Sequence, residues 1–281
     1  MRADLHAHSA LSDGTDTPAG LVEAAAAAGL DVVAITDHDS VAGWDEATLA
    51  AHRYGVVLVP GIEVSCRAHD ISVHLLAYLP DPRHPELRAE LDRTRDDRVW
   101  RARRMVERIA VDYPFAWEDV LAQVEDGATV GRPHLADALV ARGHVADRGE
   151  AFRRVLANGS PYYVGHYAPE AADAVRLVRA AGGVPVMAHP LAALRGRTVS
   201  DRTIAELVVA GLAGLEVDHR DHLPAERAHL RDLAAELGLL TTGSSDYHGA
   251  GKPNALGENL TDPEVLALIE DAATGAAVVR G

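Results

Sequence analysis

The chain is poor in several residue types: one cysteine, one lysine, three methionines, and an aromatic share of only 4% in 281 residues. A single cysteine, Cys66, excludes any disulfide within the chain and suits a reducing compartment. So few aromatic rings leave the core to Ala, Val and Leu and offer no base-stacking platform of the kind single-strand binders use. No apolar run approaches the roughly 20 residues that span a bilayer. Met1 is followed at once by a strand-like run rather than a charged and apolar leader, so a cytoplasmic protein is expected, with no membrane contact and no obligate protein partner. The formal charge of −15 argues against a surface that coats nucleic acid, unless bound cations reverse the local field.

Histidine, by contrast, is abundant, with 15 residues. Their placement follows the alternation of short β-branched runs with Ala/Leu-rich stretches. Strands are expected at 2–9, 31–38, 55–66, 71–79, 184–190, 214–219 and 240–248. Helices fit between them at 17–30, with Thr17 as N-cap and Pro18 at N1, then at 42–54, 169–182, 200–211 and 224–238. Near-continuous apolar strands alternating with helices imply parallel strands buried on both faces, an α/β sheet or barrel. The pattern breaks at 81–165, where a charged helix (90–109) and two or three shorter ones (117–124 and 132–143 among them) suggest a helical insertion. The chain thus divides into barrel segments 1–80 and 166–281 with an insertion between them.

Metal-competent residues mark the C-terminal end of nearly every expected strand: His6, His8 and Asp13, then Asp37 and His38, Glu63, His74, His189, and finally Asp246 and His248. In parallel α/β barrels those ends converge on one face, where active sites sit. One such histidine reads as a core residue; six with several carboxylates read as a multinuclear metal centre. Imidazole and carboxylate without thiolate suit Mn²⁺, Zn²⁺ or Fe²⁺. His6 and His8, two apart on a strand, point to one side.

The segments DLHAHSALSDG, AITDHDS, GIEVS, VHLLAY, MAHP and GSSDYHG, spread over residues 4–249, resemble the PHP (polymerase and histidinol phosphatase) family of metallophosphoesterases. The resemblance implies a distorted barrel of seven parallel strands with a centre of three divalent ions, Mn²⁺ foremost. By it, His6, His8, Glu63 and Asp246 hold one ion, Glu63 bridges to a second with His74 and His189, and Asp13, His38 and His248 hold the third. Asp13 stands where other branches carry His. GRPHLADALV (131–140) inside the insertion resembles the branch that cleaves nucleoside 3′,5′-bisphosphates and trims short RNA from its 5′ end, with Arg132 and His134 toward phosphate. The implied reaction is phosphate-ester hydrolysis by a hydroxide held between ions, with His6, His8, Glu63 and Asp246 as its machinery. Two alternatives stand: a phosphatase for small metabolites such as histidinol phosphate, and a non-catalytic metal-binding module.

Other signals are weaker. The arginines of 93–108 read as a solvated helix face with pairs such as Asp97–Arg101. His219, ending the sixth strand, is expected at the active-site rim, touching substrate or protonating the leaving group. Asp37 is expected to orient a ligand imidazole. Tyr162, Tyr163, His166 and Lys252 are further candidates for the pocket.

Overall fold

The structure, a computed structural model, describes residues 1–193 and 196–281. Its elements run β1 (Ala3–Asp4), α1 (Pro18–Ala27), β2 (Val32–Ile35), α2 (Trp44–Tyr54), β3 (Val57–Ala68), β4 (Ile71–Tyr78), α3 (Pro85–Ile109), α4 (Trp117–Leu121), α5 (Arg132–Ala141), α6 (Arg148–Arg154) and α7 (Ala171–Ala180). There follow β5 (Val184–Met187), α8 (Asp201–Ala210), β6 (Gly214–Asp218), α9 (Pro224–Leu237), β7 (Leu240–Gly243) and α10 (Pro263–Ala272). The strands form one sheet in sequence order. Ala7 bridges Tyr247 in the parallel sense, with the His8 N–H donating to the Tyr247 carbonyl at 2.8 Å, so the two edges meet and the sheet nearly closes.

Strand parity sorts the barrel into layers. Val32 and Ala34, Val59, Leu76 and Tyr78, and Val184 and Val186 fill one end of the interior. Their neighbours Val33, Ile35 and Leu58, or Leu75 and Ala77, face outward against helices. Continuing each inward column with period two reaches His38 after Val32 and Ala34, Glu63 after Val59, and His74 from Tyr78 and Leu76. An apolar plug therefore occupies one end of the barrel and the polar cluster the other.

The expectation of all-parallel strands is corrected by β4, which pairs antiparallel with both β3 and β5. Only His69 and Asp70 separate β3 from β4, and a parallel pair needs a crossover of a dozen or more residues. His74 thus lies in the first half of β4, opposite Ser65, and reaches the cluster because its strand runs the other way. Glu63 lies within β3 rather than at its end. β1 is shorter than expected because the chain from His6 to Ser9 leaves the ladder, with the Ala7 N–H on Thr36 Oγ1 and the Ser9 N–H on Asp37 Oδ1. α10 was not anticipated.

Helices α3–α6 pack on their own apolar cluster, which includes Met105, Ile109, Phe115, Leu135, Leu139 and Leu156. On α3 the buried stripe runs Leu87, Leu91, Thr94, Arg98, Arg101, Met105 and Ile109. Arg98 and Arg101 are therefore turned inward, which overturns the solvated reading for these two. The Asp97 side chain accepts from the Tyr167 N–H instead of pairing with Arg101.

The Ser9–Gly14 loop folds tightly beneath His8, with the N–H groups of Ser12 and Gly14 both on the Ser9 carbonyl. A Cβ at Gly14 would meet the His8 carbonyl oxygen at 2.3 Å. Gly14→Ala is expected to cost about 1–3 kcal/mol in urea unfolding; a wild-type midpoint would contradict this packing.

Candidate metal centre

Glu63, 1% exposed, divides its two oxygens between two groups of imidazoles. Oε1 lies 2.7 Å from His74 Nδ1 and 3.2 Å from His189 Nε2. Oε2 lies 2.9 Å from His8 Nε2 and 3.3 Å from both His6 Nε2 and His38 Nδ1. Asp246 Oδ1 adds contacts of 3.4 and 3.5 Å to His6 and His8. Asp13 sits between His248, at 3.1 Å, and His38, at 3.8 Å. All nine ligand candidates from the sequence are thus in one cluster. Three sets have ligand atoms within 4.8 Å of one another: His6, His8, Glu63 and Asp246; His8, Asp13 and His38; and His38, Glu63 and His74. His38 therefore stands between the second and third groupings implied by the resemblance, not in one alone.

The ring nitrogens that turn away from the cluster are held. His248 Nδ1 donates to the Asp246 carbonyl at 2.8 Å, leaving Nε2 toward Asp13. His8 Nδ1 lies 3.3 Å from Ser12 Oγ, which donates to Asp37 at 2.6 Å, so Asp37 acts on His8 through Ser12. His6 Nδ1 is 2.9 Å from Glu216 Oε1. Glu216 was not singled out in the sequence; its one signal was an acid inside the apolar run GLEV.

These groups strongly perturb one another. Burial alone would raise Glu63 and Asp13, but histidine charges (His74, His38 and His6 around Glu63; His248, His38 and His8 around Asp13) hold both well below the usual carboxylate range. Burial disfavours charge on His8, yet Asp246, Glu63 and Asp13 push it up to about 9. Burial, then the Lys252 charge, draws His248 down to about 4.

The donor set fits divalent cations on direct structural grounds. Asp13 Oδ1, His38 Nδ1, His74 Nδ1 and His248 Nε2 are buried and make no hydrogen bond among the described residues, although each has a neighbouring group of the cluster close by. His6 Nε2 and His8 Nε2 face each other at 3.0 Å. Buried polar atoms without partners are costly, and coordination satisfies several at once.

A cavity of about 800 Å³ has Asp13, His38, Glu63, His74, His189 and Asp246 in its wall. Residues of the helical stretch, Arg98, Arg101, Arg132 and Tyr163, line the same cavity, and so does His166 just after it. Arg98 is committed to the barrel, with Nε on Asp39 at 2.9 Å and Nη2 on Ser65 Oγ at 2.5 Å. Arg101 Nε donates to the Val164 carbonyl at 2.9 Å, while its buried Nη2 has no hydrogen-bond partner among the described residues. Arg132 donates to Asn158 at 2.9 Å. Burial lowers both Arg101, to about 9, and Arg132, each also pressed by neighbouring arginines. Arg98 and Arg101 were missed in the sequence, though their spacing continues the apolar stripe of α3.

Three expectations change. His134 is buried and its Nδ1 accepts from the Gly131 N–H at 3.0 Å, capping α5; it is not among the residues lining the cavity. His219 is fully buried rather than at the rim, with Nε2 3.5 Å from Asp246 Oδ2 and Nδ1 accepting from the Asp221 N–H. Tyr162 turns away to hydrogen-bond Asp112, while Lys252 lines the cavity with Nζ 3.1 Å from Asp246 Oδ2.

Among known proteins, the PHP domain family matches residues 4–123. The chain is 35% identical to a 3′,5′-nucleoside bisphosphate phosphatase of Chromobacterium violaceum, over 89% of this chain and 88% of that protein. It is 33% identical to a 5′-3′ exoribonuclease of Haemophilus influenzae, over 92% and 93% respectively. A crystal structure from Bifidobacterium adolescentis, described as a metal-dependent phosphoesterase, superposes with a TM-score of 0.95 at 45% identity, covering 97% of this chain and 96% of that one.

Adding Mn²⁺ to chelator-treated protein is expected to raise Tm, with about 2.7 kcal/mol of stabilisation when the ion exceeds its Kd a hundredfold. Cations compete with protons for His8, whose pKa lies near 9, so the gain should shrink as pH falls. A Tm indifferent to the ion would contradict a metal centre.

Proposed function

The chain belongs to the PHP family of metal-dependent phosphoesterases, and on that premise we propose that it hydrolyses phosphate esters of nucleotides: nucleoside 3′,5′-bisphosphates or the 5′ ends of short RNA. The observation that carries this reading is one cavity lined both by a carboxylate–imidazole cluster and by arginines of the helical insertion. A molecule with two anionic groups suits it: one group placed at the cluster, the other at Arg101 and Arg132. The identities of the two relatives support the same substrate class.

In this reading, residues 1–80 and 166–281 are the catalytic barrel and 81–165 its substrate cap. Three divalent ions fit the donor set, Mn²⁺ first and Zn²⁺ or Fe²⁺ as alternatives. His6, His8, Glu63 and Asp246 would hold one, Glu63, His74 and His189 a second, and Asp13, His38 and His248 the third. Such ions, when bound, lower the pKa of water to about 7 and neutralise charge on phosphoryl oxygens. The protein's own part is to bind and orient. Planar guanidinium forks on Arg101 and Arg132 engage anionic oxygens through two donors each. Lys252 brings a further positive charge to the cavity wall beside Asp246. His219, behind Asp246, steadies that carboxylate instead of reaching substrate. An acidic chain binds a polyanion here because cations would offset the cluster's carboxylates and arginines line the same cavity.

His6→Ala and Asp246→Ala should each lower turnover on adenosine 3′,5′-bisphosphate about a thousandfold or more, with the fold retained by circular dichroism. Arg101→Gln should raise KM about 10–100-fold for the bisphosphate, the equivalent of losing a charge-assisted contact, and much less for a nucleoside 3′-monophosphate. Phosphate release from histidinol phosphate, with no phosphate released from the bisphosphate and no nucleotide trimmed from a 5′-phosphorylated RNA oligomer, would overturn the substrate reading.

A further inference from the structure

Glu216 is not in the wall of the cavity described above and, among the described residues, belongs to none of the ligand groups, yet it is fully buried inside the barrel. Strand parity accounts for the position. On β6, Leu215 and Val217 face outward into the apolar layer shared with Ile204, Leu207 and Leu230, so the residue between them faces in. An ionised carboxylate taken from water costs several kcal/mol unless its oxygens are satisfied. Both are: Oε1 lies 2.9 Å from His6 Nδ1, and Oε2 accepts from the His189 backbone N–H at 2.8 Å.

These two partners belong to opposite sides of the cluster. His6 approaches Glu63 at Oε2, and His189 approaches it at Oε1. With Nδ1 bound to Glu216, His6 keeps its proton there and presents Nε2 to Glu63, Asp246 and His8. His189 has φ of +30°, a conformation rare outside glycine. Residues in such conformations cost about 1–3 kcal/mol and persist only where their surroundings dictate them. The bond from Glu216 to its N–H is one such restraint at the residue that aims the imidazole at Glu63.

We propose that Glu216 is a positioning residue for the metal centre, one carboxylate that sets the ring orientation of His6 and the backbone turn of His189 so that both flanks of Glu63 are correctly placed together. The proposal rests on the metal-dependent reading above. Its chemistry demands a carboxylate. Both partners are donors, so glutamine in the same place keeps one acceptor and turns an NH₂ toward the other donor.

The test is Mn²⁺ binding to the full chain by calorimetry, with metal content after dialysis, for wild type and Glu216→Gln. The expected result is a folded variant whose Mn²⁺ affinity falls about 10–100-fold, with fewer ions retained per chain. A folded variant that binds Mn²⁺ like wild type, even if less stable, overturns the proposal by reducing Glu216 to a structural role. If the variant does not fold, the ¹⁵N histidine spectrum of the zinc-loaded wild-type chain decides. A proton on His6 Nδ1 supports the assignment, and coordination through Nδ1 overturns it. Absence of Mn²⁺ binding by the wild-type chain is the distinct result that would remove the underlying metal reading as well.

Discussion

A single buried carboxylate, Glu63, organises this molecule around two groups of imidazoles, one on each oxygen. A charge so deep in a barrel is tolerable only with opposite charge or coordination around it, and five histidine rings lie within 3.3 Å of its oxygens. Those rings come from β4 and from segments adjoining β1, β2 and β5, so closing the sheet and building the cluster are one event. The demand propagates outward. His8 leans on Ser12 and through it on Asp37, His248 on the Asp246 carbonyl, and His6 on Glu216.

The barrel meets this demand with a division of its interior. Three inward columns begin in Val32, Val59 and Tyr78 and end in His38, Glu63 and His74, so each of these strands leads from apolar core to the cluster. Reversal of β4 is part of the same economy: a tight hairpin lets His74 face its neighbour strand's Glu63 without a crossover helix. The insertion adds the opposite electrical pole. Arg98 is anchored to Asp39 and Ser65, next in sequence to His38 and close to Glu63, and this ties α3 to the barrel beside the cluster.

That these histidines and carboxylates gather in one cluster was legible in the sequence because histidines at strand ends are chemically conspicuous and because parity and strand ends are local properties. The run of helices α3–α6 was legible for the same reason, as periodicity changed there. The direction of β4 was harder to see, since an apolar run looks alike in either sense, although the two-residue link before Ile71 carried the information. Arg98 and Arg101 were read as solvent-facing because arginine in a charged helix usually is; only the buried stripe they continue reveals otherwise. Glu216 carried almost no signal, for its partners, His6 and the His189 backbone, lie far off in sequence. His219 and His134 show that a strand-end or motif histidine can be buried beneath the site, one beside Asp246 and the other capping α5.

The claim on which this account turns is that Glu63 joins two cation sites. Anomalous scattering from crystals of the protein soaked in Mn²⁺ tests it most directly. The account predicts manganese peaks on both sides of the Glu63 carboxylate, one beside each oxygen. A single peak, or manganese bound away from Glu63 altogether, would contradict it.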